Sequence, residues 1–149
     1  MFRLHVEREV ACSHVLNLHD GKCHNLHGHN YKIVVDVYTK GLINEEVSDD
    51  GMVMDFGHIK QIIDSIDHRH LNDYFEELIT QAGGKEGSYL DFIRSCAVQP
   101  TSERLSKHLA YLIYNKAKLN LNRNSENKVN KITVKVYESS TNYAEYTLE

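Results

Sequence analysis

Hydrophobic and polar residues alternate from Phe2 to Val10, with Phe2, Leu4 and Val6 on one side and Arg3, His5 and Glu7 on the other. That period of two belongs to a strand with one face buried. Tyr31 to Thr39 repeats it, with Tyr31, Ile33, Val35 and Val37 facing one way. Near the C-terminus Ile132, Val134 and Val136 face inward, a polar turn follows at Ser139 to Asn142, and a last strand runs through Tyr143, Glu145 and Thr147. A hairpin therefore closes the chain.

Between these strand pairs the period changes to that of a helix. Phe56, Ile59, Ile62, Ile63 and Ile66 form one apolar stripe behind Asp55, whose carboxylate is placed to cap free backbone N–H groups, and this helix is expected to end near Asp67. A second helix follows the single proline: Pro100 precedes Thr101 as N-cap, and Leu105, Leu109, Leu112, Ile113 and Ala117 line one face. The segment between them has two short apolar patterns, Phe75/Leu78/Ile79 and Leu90/Ile93, split by Gly83, Gly84 and Gly87, and reads as a helical hairpin inserted near residues 74–99. The polar run Asn120 to Lys131 reads as a loop.

A β-β-α-α-β-β order with a short closing hairpin predicts an α+β fold: a four-stranded antiparallel sheet with two helices on one face. At 149 residues without repeats or low-complexity tracts, one domain spanning 1–149 is expected, large enough to bury a core without disulfides. A net charge of −4 argues against sequence-independent nucleic-acid binding, which needs a basic face. No apolar run approaches the roughly 20 residues that span a bilayer, so no membrane partner is expected. Three cysteines cannot all pair within the chain, and the N-terminus opens on a strand pattern instead of a signal peptide's apolar core. Reduced thiols in a cytoplasmic protein follow from these two features.

The chemistry concentrates between the first two strands. In His27-Gly28-His29 two imidazoles sit two residues apart, on the same side of an extended backbone, with Cα atoms about 6 to 7 Å apart. His14, near the end of the first strand, supplies a third ligand if the two strands pair. Three neutral imidazoles leave the fourth position of tetrahedral Zn²⁺ for water or substrate. One His-x-His can arise by chance among ten histidines, and spacing alone does not exclude His19 or His24 as ligands.

Cys23 lies four residues before His27, and a thiol beside a cation loses its proton more easily, which suits it to proton transfer. The competing role is a fourth zinc ligand in a closed, inert site. Cys12 and Cys96 read as small buried apolar residues. After the first long helix, Asp67-His68 places a carboxylate beside an imidazole that it would orient, although a polar helix C-terminus has the same composition. Glu138, at the end of the third strand, offers a carboxylate for two parallel hydrogen bonds from an amidine-like heterocycle edge; most strand-end glutamates are only solvated.

Together, Ala11-Cys12-Ser13-His14, Cys23-His24-Asn25-Leu26-His27-Gly28-His29, Met54-Asp55-Phe56, Ile66-Asp67-His68-Arg69-His70-Leu71-Asn72-Asp73, Pro100-Thr101-Ser102-Glu103 and Val134-Lys135-Val136-Tyr137-Glu138 resemble the 6-pyruvoyltetrahydropterin synthase and 6-carboxytetrahydropterin synthase family. The resemblance spans nearly the whole chain. It implies the tunnelling fold, with trimers joining their sheets into a barrel, two trimers stacking into a homohexamer, and active sites between subunits. It implies one Zn²⁺ per subunit on His14, His27 and His29, with Cys23, Asp67 and His68 relaying protons. Glu138 would anchor the pterin ring, with Thr101 and Glu103 near it. The implied substrate is 7,8-dihydroneopterin triphosphate. Three residues separate Cys23 from His27, the shorter spacing of the bacterial 6-carboxytetrahydropterin type, which also releases acetaldehyde and serves 7-deazapurine (queuosine) synthesis; the animal type keeps a pyruvoyl side chain. The stretch from about Tyr74 to Gln99 departs from the compact bacterial pattern. It is expected to cover the pocket mouth or to sit at a subunit contact. A rival from another class is a pterin- or metal-binding module without turnover, which would have no use for a proton relay.

Overall fold

The computed structural model describes residues 1–44, 46–121 and 128–149. Its strands are β1 (Phe2–His14), β2 (His27–Thr39), β3 (Arg69–His70), β4 (Val129–Tyr137) and β5 (Tyr143–Leu148). Its α-helices are α1 (Phe56–Asp64), α2 (Leu71–Gln81), α3 (Ser88–Val98) and α4 (Ser102–Leu121). The α+β class and the expected order of the main elements hold. The sheet has five strands instead of four, in the order β3-β1-β2-β4-β5. The extra strand, β3, pairs parallel with β1 through Cys12–Arg69 and Ser13–His70, which makes the sheet mixed. Two residues are too few to carry a periodic signal, so the pattern could not reveal it.

β1 and β2 each run 13 residues and pair without a break, from Phe2 opposite Thr39 to His14 opposite His27. They therefore extend four residues past the alternating segments, into the histidine-rich stretch. Directly opposed residues point to the same face of an antiparallel pair. Val6, Val10, Cys12 and His14 thus share one face with Tyr31, Ile33, Val35 and Val37, all buried. β4 adds Ile132, Val134 and Val136 to it, and β5, which runs through Tyr143, Glu145 and Thr147 as expected, adds the alternate residues Ala144, Tyr146 and Leu148. The helices close over this face, with Ile59, Ile63, Phe75, Ile93, Leu105, Leu109 and Ile113 fully buried. Each such side chain contributes about 1.5–3 kcal/mol by leaving water.

Asp55 caps α1 as expected, accepting from Gly57 N–H at 2.7 Å. The helix ends at Asp64, three residues early, because i→i+3 turns take over: Ile66 N–H reaches the Ile63 carbonyl and Asp67 N–H the Asp64 carbonyl. Ile66 is still fully buried, whereas Phe56 is 51 % exposed and lies outside the stripe. Thr101 caps α4 through its Oγ1, which accepts from Arg104 N–H at 3.3 Å, and Leu112 on that helix is only half-buried. The inserted hairpin is present as α2 and α3, beginning at Leu71. Of the loop expected over Asn120 to Lys131, the first two residues belong to α4 and the last three to β4; residues 122–127 lie outside the described residues.

Candidate active site and metal centre

The extension of β1 and β2 is what assembles the three histidines. The His14–His27 and Cys12–His29 pairings place His14, His27 and His29 on the helix-covered face. His14 Nε2 lies 2.9 Å from His27 Nε2 and 3.2 Å from His29 Nε2. Gly28, between the two ligands, is packed against β1: a Cβ there would sit 3.1 Å from the Cys12 carbonyl oxygen. A side chain at 28 would require the strand pair to give by a few tenths of an ångström where the triad needs it closed.

The tautomers follow from the backbone. His14 Nδ1–H donates to the Pro100 carbonyl at 2.9 Å and His27 Nδ1–H to the Asn25 carbonyl at 2.6 Å. A carbonyl can only accept, so in both neutral rings the lone pair is on Nε2. Two lone pairs facing each other at 2.9 Å repel, and a cation between them turns that repulsion into two bonds. Tetrahedral zinc with Zn–N bonds of about 2.0–2.1 Å spaces its ligand atoms about 3.3 Å apart, close to what these nitrogens already adopt. Burial lowers the pKa of His14, aided by His27 and His29 and opposed by the Pro100 carbonyl and Glu138. Burial likewise lowers that of His29, against Glu138. Both rings therefore remain neutral, with lone pairs free, near physiological pH. Among the described residues, these three ligand atoms form a metal-capable cluster, all within 4.8 Å of one another, and the donor set fits a divalent ion.

Beside the triad is a cleft of about 280 Å³ lined by Cys23, His19, Thr101, Ser102, Glu103, Glu138 and Tyr143, among others. Four of the expected site residues, Cys23, Thr101, Glu103 and Glu138, thus meet on its walls. Cys23 is half-buried on a single 3-10 turn, Lys22–His24. Glu138 follows β4, and its Oε1 accepts from Ser102 Oγ at 2.8 Å. Ser102 is buried at the start of α4. This hydrogen bond aims one carboxylate oxygen and leaves the other for a ligand. Sequence reasoning missed Ser102 as a site residue; its place directly after the Pro100-Thr101 helix start was the available signal.

Asp67 and His68 lie elsewhere. His68 lines a second cleft with Ala11, Ser13, Gly28, His29, Asn30 and Arg69, separate from the cleft that holds Cys23. Asp67 Oδ1 accepts from Ala11 N–H at 2.9 Å and from the His68 ring at 3.0 Å, so its carboxyl is held below the usual range, chiefly by the Ala11 amide. His68 has φ +58, and its N–H donates to the Ala11 carbonyl at 2.7 Å. A left-handed histidine stores backbone strain of the kind found at functional sites. Its side chain is 82 % exposed. A single chain therefore does not bring Asp67 and His68 to its own Cys23.

The inserted hairpin has a definite task here. Asn72 Oδ1 accepts from Val15 N–H, and its Nδ2 donates to the Val15 and Ala97 carbonyls, each at 2.9 Å. Asn17 Nδ2 donates to the Val98 carbonyl and Leu18 N–H to Gln99 Oε1. α2 and α3 thus hold the loop that leads from His14 to Cys23. Within one chain neither α2 nor α3 lines this cleft, and what they provide there is a buttress behind the loop.

Comparison with known proteins places the chain in a family with this fold. The family model described as 6-pyruvoyl tetrahydropterin synthase matches residues 3–149. The 6-carboxy-5,6,7,8-tetrahydropterin synthase of Haemophilus influenzae is 27 % identical over 98 % of this chain and 99 % of its own. The protein of that name from Aquifex aeolicus is 33 % identical over 86 % of this chain and 77 % of its own. Among solved structures, the 6-pyruvoyl tetrahydropterin synthase of Plasmodium falciparum superposes with a TM-score of 0.61 at 21 % identity, covering 99 % of this chain and 97 % of that one, which establishes the shared fold. With the match running from the first strand to the last, the chain belongs to the 6-pyruvoyl tetrahydropterin synthase family.

Proposed function

We propose that the protein is a zinc-dependent lyase that converts 7,8-dihydroneopterin triphosphate into 6-carboxy-5,6,7,8-tetrahydropterin, acetaldehyde and triphosphate, in the cytoplasmic synthesis of 7-deazapurines. The observation that carries this reading is the histidine triad, with bare Nε2 atoms on His14 and His27, bonded through the Pro100 carbonyl to the helix start whose Thr101 lines the cleft with Cys23 and Glu138. The charge of Glu138 acts on both His14 and His29, opposing the lowering of their pKa by burial, so carboxylate and triad share one electrostatic environment. The curated relatives named 6-carboxy-5,6,7,8-tetrahydropterin synthase and the three-residue interval between Cys23 and His27 support the carboxy product.

His14, His27 and His29 would hold the zinc ion, which when bound supplies Lewis acidity toward the hydroxyls of the substrate side chain. Glu138 accepts the paired N–H groups of the pterin edge, steadied by Ser102 Oγ–H on Oε1. Thr101 and Glu103 flank that edge on the cleft wall. Cys23 takes a side-chain proton at the mouth of the triad. Asp67 orients His68 for the same relay, and because both lie on a separate cleft of this chain, they would serve the partner subunit's Cys23. This arrangement accords with a homohexamer whose active sites lie between subunits, each subunit one domain spanning 1–149.

The test is incubation of the zinc-loaded protein, beside Cys23→Ala, with 7,8-dihydroneopterin triphosphate under reducing, anaerobic conditions, with products identified by mass spectrometry. Acetaldehyde with the carboxy pterin is expected from the parent protein only, and Cys23→Ala should retain its zinc. A pyruvoyl product without acetaldehyde would assign the 6-pyruvoyltetrahydropterin reaction instead. Absence of any turnover would leave a pterin- or metal-binding module.

A further inference from the structure

The loop between β1 and β2 carries a histidine, His19, that the roles above do not use. His19 N–H donates to the Leu16 carbonyl at 3.1 Å, and Gly21 N–H donates to His19 Nδ1 at 2.8 Å. An amide N–H can only donate, so Nδ1 carries the lone pair and the neutral ring has its proton on Nε2. Gly21 makes this placement possible. A Cβ at position 21 would lie 2.8 Å from His19 Cε1 and 3.1 Å from Nδ1. Gly21 itself has φ −96 and ψ −163, which any residue adopts, so the glycine is needed for the ring and not for the backbone. With its Nδ1–Cε1 edge against Gly21, the ring lines the same cleft as Glu138 and Cys23, and Nε2–H is its remaining donor.

We propose that His19 is a further substrate-binding residue, whose Nε2–H donates a hydrogen bond to the 4-oxo oxygen of the pterin ring that Glu138 anchors. The proposal rests on the pterin-binding reading of this cleft. It follows from complementarity: the ring edge that gives N–H groups to a carboxylate is flanked by a carbonyl oxygen, which needs a donor. A ring with an amide-set tautomer on the same wall supplies one. The loop is held for the purpose, since Asn17 and Leu18, just before His19, are bonded to Val98 and Gln99.

The experiment is fluorescence titration of the zinc-loaded full chain with neopterin and with its 4-thioxo analogue, which keeps the N3–H and 2-amino donors that Glu138 binds but replaces the oxo acceptor with the much weaker acceptor sulfur. His19→Leu should weaken neopterin about tenfold and the thioxo ligand less than threefold. His19→Gln, whose amide nitrogen sits near the Nε2 position, should stay within about threefold of the parent for neopterin. Gly21→Ala, which leaves every site side chain in place but pushes the ring aside, should reproduce His19→Leu. Equal weakening of both ligands, or none, in His19→Leu and Gly21→Ala overturns the proposal while Glu138→Gln still abolishes neopterin binding. If the parent protein binds no neopterin and Glu138→Gln changes nothing, the pterin reading of the cleft fails first and takes this inference with it. Zinc content and melting temperature of each variant separate these outcomes from misfolding.

Discussion

His108 offers a quantitative test of the packing under the inserted hairpin. It is fully buried in α4, with Nε2 2.8 Å from Tyr74 Oη and its ring 5.0 Å from that of Phe75. Its Nδ1 has no hydrogen-bond partner among the described residues, so nothing there rewards a second proton. Burial pushes the pKa from 6.5 down to about 4. The folded state therefore refuses a proton that the unfolded chain takes up below pH 6.5. Stability is full above that pH, falls as the pH drops, and stops falling below about 4. The total loss is about 3 kcal/mol, of which about 2 kcal/mol has gone by pH 5. The perturbation is His108→Gln, which keeps an amide nitrogen beside the Tyr74 oxygen but does not titrate. Urea unfolding followed by circular dichroism, at fixed protein concentration and at pH 7.5 and pH 5, gives the free-energy difference between parent and variant. That difference should move by about 2 kcal/mol in the variant's favour between the two pH values, a shift of about 1 M in midpoint. Because His14 and His29 are present in both proteins, their titration cancels. A difference independent of pH would refute the reasoning, since His108 would then take up its proton in the folded state as readily as in water.

Two further predictions concern the thiols and the loop. Burial pushes Cys12 and Cys96 up to about 12, and Cys12 also donates to the Ile66 carbonyl at 3.0 Å, whereas Cys23 is half-buried on a cleft wall. Iodoacetamide at pH 8 should thus label Cys23 alone in the native protein and all three cysteines in denaturant, and native labelling of Cys12 or Cys96, read by peptide mass spectrometry, would contradict the burial argument. Asn72→Ala removes three hydrogen bonds and strands both polar groups of Val15 and the Ala97 carbonyl, so thermal unfolding should report a loss of about 2–4 kcal/mol, with Asn72→Asp losing at least as much, because its second carboxylate oxygen sets an acceptor against the Val15 and Ala97 carbonyls.

Much of this architecture was legible in the chain itself. Period-two alternation marked the cores of β1, β2 and β4, and helical stripes behind Asp55 and Thr101 marked α1 and α4, because burial of one face imposes its period on the residues that form it. The pairing of His27 with His29 was readable for the same local reason, and motif order along the chain disclosed the family. Other features depended on groups far apart in sequence. The extension of β1 and β2 to His14 and His27 shows no alternation of apolar residues, since what those positions bury is imidazole. Pro100, 86 residues from His14, supplies a carbonyl that fixes a tautomer, and carbonyls are the same in every residue. Ser102 meets Glu138 across 36 residues, and Asn72 reaches Val15 across 57. β3 pairs with the edge of β1 directly after a left-handed His68 turns the chain. Which residues are apolar, which can ligate and in what order they come are properties of the chain alone. Tertiary structure alone decided which lone pairs meet, which carboxylate is held and which histidine is left exposed, because these are properties of distance and burial that no local pattern encodes.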